Sequence, residues 1–398
     1  MLLNRKRAEE IMKKYEVKAI VASSPENVTY ISDYWDLGHW IIKGGTQAYA
    51  VLPLDRNIEP FIVTSVGSLD QAAIQKNCWI DNFYTYGNFF TTIPEASLLS
   101  ETEQRLKKFL ENMKKNEDPP SALVNGLRDR GLIGGKIALD EMNITSQLFD
   151  RIRKMLSNTE IIYGYSLMKE LRAVKSEEEV KRLKRSAEII EKAFLNTIQK
   201  IHEGISEIEI CNIVKRNIIE EGGIPALMVI GAAQNSGFPN IIPSEYKIKK
   251  GDIIRFDIGC LYKYYFSDTA RIAVLGEPSE KLQTYYNAVK EGEERAIKLV
   301  KPGRKASEIF KEAVKVVREA GIPHYNRNHV GHGIGIECYE IPRIAPLSND
   351  ILEEGMVFNI ETPYYELGFG GVQVEDTILV TKNGYLELTK SSRGLFIL

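Results

Sequence analysis

The sequence is poor in cysteine and histidine, with 4 and 5 in 398 residues, and it carries almost no net charge. Cys78, Cys211, Cys260 and Cys338 stand far apart with no C-x-x-C spacing, which argues against a thiolate zinc site and a disulfide framework. A cytoplasmic location is expected on that count. The 52 basic residues meet 54 acidic ones for a formal charge of -2, so composition points to neither nucleic acid nor an anionic membrane as partner. Small polar ligands are favoured instead. The stretch MLLNRKRAEEIMKKYEVKAI turns charged after three residues and reads as an amphipathic helix, so neither signal peptide nor membrane span is expected. Gly, Pro and Ser nowhere concentrate into a long linker or low-complexity tract.

A chain of 398 residues exceeds what one hydrophobic core accommodates, and two domains are expected. Residues 1–165 alternate helical stretches with β-rich runs: RAEEIMKKY then KAIVAS, QAYAVLPL and PFIVTS, and TEQRLKKFLENMKK with Leu106, Phe109, Leu110 and Met113 on one face. This pattern predicts an α/β domain. Residues 166–398 have another texture. Ser176 and Glu179 form a capping box opening a helix over 176–199, along which Val180, Leu183, Ala187, Ile190 and Phe194 keep helical spacing. A helix capped by Ser206 with Glu209 follows, then the hairpin GDIIRFDIGCLYKYYFSDTARIAVL. The same order returns as helices over 280–301 and 307–320 and the hairpin GMVFNIETPYYELGFGGVQVEDTILV. GDIIRFD and GMVFNIE share a glycine, an apolar centre and a terminal acid, so an α+β domain with an internal ααββ repeat is expected.

Asp257 and Asp268 are equidistant from a turn near Tyr262–Lys263, so antiparallel pairing would set them opposite each other. Glu361 and Glu375 flank LGFGG in the same way. If the two halves pack together as repeats do, four carboxylates converge. His332, between glycines in GHGIGIECYE, then lies nearby, where the absence of flanking side chains permits close backbone approach. Taken singly, an acid in a strand is most often solvated, and a histidine in a glycine-rich loop is most often structural. Here each acid interrupts an otherwise apolar strand, where an unpaired charge is costly. Four close carboxylates cannot all stay ionised without cations, and two divalent ions would neutralise them. Oxygen ligands with one imidazole suit Mn, Co, Fe or Zn, which two-metal hydrolases hold about 3.5–4 Å apart.

The segments FDIGCLYKYYFSDTAR, GHGIGIECYEIPRI, GMVFNIE and VEDTILVT occur in that order, and through them the chain resembles the creatinase/prolidase/methionine aminopeptidase family of pita-bread metallopeptidases. ELRAVKSEEEVKRLKRSAEIIEKAF is similar to the first helix of that family's catalytic domain, and SPENVTYISDY to the amino-terminal domain of prolidases and aminopeptidases P. The resemblance implies a creatinase-type α/β domain over 1–165, a pita-bread catalytic domain over 166–398, and a homodimer. It also implies a dinuclear site of Mn or Co, or else Fe or Zn, with Asp257, Asp268, His332, Glu361 and Glu375 as ligands. Asp268 and Glu375 would bridge the ions, and Glu361 would take the proton of the attacking water.

The family's peptidases carry two further histidines and, in proline-specific members, an arginine two residues before the last glutamate. This chain has Asn240, Tyr339 and Gln373 at those places. Tyr339 is then expected to donate a hydrogen bond to an oxyanion, and Asn240 to orient a carbonyl. Gln373 and His329 are candidate substrate contacts, with a structural role as the other reading of His329. His39 and Trp40, with Trp35 in YWDLGHW, fall in a region that caps the other subunit's site in prolidase-like dimers, against which core packing is weighed. Cys260 and Cys338 read as small buried hydrophobes, and the tyrosines of YKYY at 262–265 as a hairpin turn.

The implied function is hydrolysis of the amide bond before proline in short peptides, by a dipeptidase or an aminopeptidase. Asn240, Tyr339 and Gln373 keep open a hydrolase or lyase of a small non-peptide substrate on the same fold, similar to ectoine hydrolases, creatinases or sulfoniopropionate lyases. A catalytically silent binding protein is the third reading. Such relatives lose metal ligands, whereas all five persist here.

Overall fold

The alternating first part of the chain folds around a seven-stranded mixed sheet. A computed structural model describes residues 1–42, 45–93 and 98–398. The strands are β1 (Ala19–Ala22), β2 (Tyr49–Pro53), β3 (Phe61–Ser65), β4 (Phe83–Tyr86), β5 (Lys114–Asn116), β6 (Gly135–Leu139) and β7 (Thr159–Tyr163), in the order β5-β4-β3-β2-β1-β6-β7. Around them run α1 (Arg5–Lys14), α2 (Pro25–Ser32), α3 (Leu37–Ile41), α4 (Leu69–Ile74), α5 (Glu101–Asn112), α6 (Pro119–Asp129), α7 (Ser146–Met155) and α8 (Tyr165–Arg172). Ala122, Leu123 and Leu127 of α6 and Ile152 of α7 pack on Val21, Val51, Val63 and Ile137 of the sheet. Asp140 anchors the start of α2 by accepting from the Ser23 and Ser24 amides and from Asn27 Nδ2.

The chain divides between Leu171 and Arg172, rather than between 165 and 166. α8 belongs to the first unit for two reasons. Its Leu167, Met168 and Leu171 are buried, and Glu170 accepts from Tyr15 at 2.9 Å and pairs with Lys14 at 2.6 Å.

The second unit repeats one plan twice. Helices α9 (Glu177–Ile198) and α10 (Glu207–Glu220) precede β8 (Ile224–Ala232), β9 (Ile253–Tyr262), β10 (Tyr265–Phe266) and β11 (Thr269–Val274). Helices α11 (Glu280–Lys298) and α12 (Ala306–Glu319) precede β12 (Gly331–Gly333), β13 (Glu340–Arg343), β14 (Val357–Glu361), β15 (Tyr364–Glu366), β16 (Gly370–Val372) and β17 (Glu375–Thr381). β18 (Gly384–Glu387) and β19 (Phe396–Ile397) close the chain. The sheet runs β10-β9-β11-β17-β14-β12-β13, with β8 on β9, β18 on β17 and β19 on β11, while β15 and β16 form a separate ribbon.

Both expected capping boxes are present: Ser176 with Glu179 opens α9, and Ser206 with Glu209 opens α10. Each helix pair has its own core. Ile189, Phe194, Ile210 and Val214 pack on Ile230, Ile254 and Phe256 in the first half. Val289, Ile297, Ile309 and Val317 pack on Phe358, Ile360 and Ile378 in the second. β8 is an addition to the expected plan. Its pairing with β9 breaks at a bulge between Pro225 and Met228, and its burial does not alternate, so the sequence carries no period of two there. Nor is Tyr265 mere turn material: it is buried, and its hydroxyl donates to Glu179 at 3.1 Å.

Candidate metal centre

Strand pairing decides which acids meet. Glu361 at the end of β14 stands directly opposite Glu375 at the start of β17. Ala270 of β11 faces Asp257 of β9 on one side and Glu375 of β17 on the other. Asp268 is therefore not opposite Asp257 as expected. The turn is Lys263–Tyr264, both at positive φ (46° and 72°) as a two-residue hairpin requires, and this moves the register by two. A slip of two keeps every side chain on its face, whereas a slip of one would have reversed it.

His332 sits on β12, a strand rather than a loop, squeezed between β13 and β14. A Cβ at Gly331 would lie 2.1 Å from the Asn359 carbonyl oxygen, and one at Gly333 2.3 Å from that of Ile341. Only glycine lets the three strands approach so closely.

Asp268, His332 and Glu375 bring ligand atoms within 4.8 Å of one another. His332 Nε2 is 3.9 Å from Asp268 Oδ2 and 4.0 Å from Glu375 Oε1. His332 Nδ1 lies 3.1 Å from the Gly333 carbonyl, which can only accept, so Nε2 is left with its lone pair toward the carboxylates. Burial pushes the His332 pKa down to about 4, which keeps the ring neutral. The acids move the other way. Burial first, then the charges of Asp257 and Glu361, drive Asp268 well above the usual carboxylate range. Glu375 is driven up by burial and by Asp268. Burial lifts Glu361 to about 7 against the pull of Arg327, and lifts Asp257 against that of Arg255.

These side chains fit a divalent cation. Asp268 Oδ1 is buried with no hydrogen-bond partner, an unmet acceptor of the kind a cation would satisfy. Asn359 Nδ2 holds Glu375 Oε1 at 3.0 Å, the kind of outer support that orients a ligand. Cys338 is half-buried rather than a core hydrophobe, and its thiol faces Asp268 Oδ2 at 3.7 Å. Cys260 is fully buried.

The remaining candidates separate. The Tyr339 ring stacks on His332 at 3.8 Å between centroids and is 56% exposed, so it faces solvent directly over the His332 imidazole. Asn240 is exposed in the loop between β8 and β9. His329 Nδ1 comes within 3.2 Å of Glu361 Oε1 without forming a hydrogen bond. Gln373 is a correction: it is buried, it accepts from Arg255 at 3.0 Å and its Nε2 lies 3.4 Å from Glu375 Oε2, so its amide is taken up by the protein instead of being open to a substrate. His39 is another. It is buried in the first unit with Nε2 on the Ser23 carbonyl at 2.7 Å and Nδ1 accepting from the Ala48 amide, which leaves no ring atom for a substrate. Trp40 stacks on Trp35 at 3.7 Å, in keeping with the packing reading.

Arg255 and Arg327 were not singled out in the sequence. Arg327 Nη2 is 3.9 Å from Glu361 Oε2, and the residue lines a cavity of about 280 Å³ with Asn326, Asn328, His329 and Arg343. The available signal was an arginine inside the apolar run IIRFDIG, in phase with Asp257.

Comparison with known proteins agrees with this geometry. Residues 181–382 match the model of metallopeptidase family M24, and residues 4–174 that of the creatinase/prolidase N-terminal domain. An Xaa-Pro dipeptidase of Pyrococcus horikoshii is 33% identical over 290 residues, 72% of this chain and 80% of the relative. Another from Pyrococcus furiosus is 34% identical over 275 residues, 62% of this chain and 78% of its own. The solved Xaa-Pro dipeptidase from Bacillus anthracis superposes with a TM-score of 0.80 at 25% identity, covering 99% of each chain. With both units matched and the carboxylates gathered on the shared sheet, the chain belongs to metallopeptidase family M24, a prolidase-like peptidase with a pita-bread catalytic domain that depends on divalent metal ions.

Proposed function

We propose that the protein hydrolyses the amide bond before proline in short peptides. The observation that carries this reading is the meeting of Asp268, His332 and Glu375, with buried Glu361 and partly buried Asp257 beside them, in a chain similar along most of its length to Xaa-Pro dipeptidases. Asp257, Asp268, His332, Glu361 and Glu375 would hold two divalent ions, Mn or Co or else Fe or Zn. When bound, the metals supply an electrophile for the amide carbonyl and lower the pKa of water.

The chain's own residues do the rest. Glu361 accepts a proton from the attacking water and returns it to the proline nitrogen as the C–N bond breaks. Tyr339, exposed over the site, donates its phenolic hydrogen to the oxygen that gains charge, and Asn240 orients the carbonyl. A homodimer and a cytoplasmic location belong to the same reading. Exposed Leu37, Ile41 and Ile42 on the first unit and the absence of a disulfide among the four cysteines support them. Among the described residues no helix is long and apolar enough to cross a membrane.

The test is metal analysis followed by a panel of Xaa-Pro dipeptides, longer proline peptides, other dipeptides and small cyclic amides, with Mn or Co added. Cleavage confined to bonds before proline is expected. Bound metal with no proline peptide cleaved would overturn the proposal in favour of a non-peptide substrate.

A further inference from the structure

Arg255 lies on β9 two residues before Asp257, and strand alternation puts both side chains on one face. The Arg255 side chain is 0% exposed. A guanidinium removed from water is costly unless each of its donors is met. Here each is. Nε donates to the Ser236 carbonyl at 2.9 Å, and Nη1 to Asp257 Oδ2 at 3.2 Å and Gln373 Oε1 at 3.0 Å. Nη2 donates to the carbonyls of Phe238 at 2.7 Å and Pro239 at 3.2 Å. The Tyr365 ring covers the group, 5.1 Å from its carbon.

The acceptors belong to three pieces of chain. One is the loop that runs straight into Asn240, one is the ligand Asp257, and one is Gln373, whose other end faces Glu375. We propose that Arg255 is a positioning residue that couples the two halves of the site: it fixes the carboxylate of Asp257 and, through three main-chain carbonyls, holds the Asn240 loop in register with the metal ligands. The guanidinium fork is required, since a lysine ammonium offers three donors at one point and cannot span three segments. The inference rests on Asp257 being a ligand and Asn240 a substrate contact.

Two variants test it. Arg255→Lys keeps the charge and loses the fork. It is expected to fold, to bind Co(II) about 10- to 100-fold more weakly by titration of the visible cobalt absorption, with an altered band shape, and to raise KM for an Xaa-Pro dipeptide. The double variant Arg255→Met/Gln373→Arg moves the guanidinium across the 3.0 Å contact. It is expected to recover Co(II) affinity, because a cation again touches Asp257, while KM stays raised because the loop carbonyls remain unserved. Parental cobalt affinity, spectrum and KM in Arg255→Lys would overturn the proposal, as would a change confined to the thermal midpoint. Asp257→Asn is measured alongside. If it removes cobalt binding while Arg255→Lys changes nothing, only the Arg255 role fails; if it leaves cobalt binding intact, the ligand set fails and the Arg255 role with it.

Discussion

Glu375 and Asp376 are consecutive on β17, equally buried at 2% and 1% exposure, and they titrate in opposite directions. Glu375 points into the cup with Asp268, Asp257 and Glu361, and its pKa is driven far up by burial and those charges. Asp376 points to the other face. There burial also pushes upward, but Arg271, at 2.6 Å, and Arg393 outweigh it and hold Asp376 below the usual carboxylate range. The same strand thus carries a charge satisfied by the protein and a charge left for something else. Burial alone does not separate the two: Asp376 faces guanidinium groups, and Glu375 faces other carboxylates.

The largest expected effect follows from the cup. Chelation, or His332→Ala, is expected to abolish peptidase activity, a loss beyond the about 10- to 100-fold typical of outer partners, checked by rate and bound metal together. Next comes the contrast itself. Asp376→Asn removes the carboxylate partner of the buried Arg271 and one of the three acidic neighbours of Arg393, and is expected to cost about 3–5 kcal/mol in urea unfolding, with or without metal. Glu375→Gln in the metal-free protein removes a repelled charge and is expected to leave stability unchanged or raise it. Equal losses in both would break the comparison.

Acidity sharpens it further. Glu361, at about 7 in the folded state against an ordinary 4.5, makes the metal-free fold less stable as pH rises from 4.5 through 7, at roughly 1.4 kcal/mol per pKa unit. The Asp376 contribution, from a lowered pKa, is full above its ordinary 3.8 and fades as pH falls through the folded value. The gap in melting temperature between loaded and metal-free protein is therefore expected to widen from pH 5 to pH 8. The smallest effect belongs to a solvated pair: Arg295→Ala, which removes the 3.3 Å contact to Glu312, is expected to change stability by less than about 0.5 kcal/mol.

Helix starts and the candidate acids were legible because each obeys a local rule. Ser176 and Glu179 announce a helix start three residues apart, and Asp257 and Glu361 stand out as acids ending apolar runs. Features set by distant partners were not. The first hairpin's register depended on which two residues adopt positive φ, and lysine and tyrosine give no signal for it. β12 is three residues long, too short for any period. Gln373 and His39 were misplaced because a side chain's partners come from other parts of the chain: Arg255 claims the first, and Ser23 and Ala48 the second.

The crowding around β12 has a consequence for anyone redesigning this enzyme. The backbone that carries His332 is fixed by main chain pressing on main chain at Gly331 and Gly333, while its ring is held by the Gly333 carbonyl and the stacked Tyr339. An exchange at exposed Tyr339 gives up its hydroxyl and its stack on His332 but has room to be made, while the two glycines admit not even a methyl group.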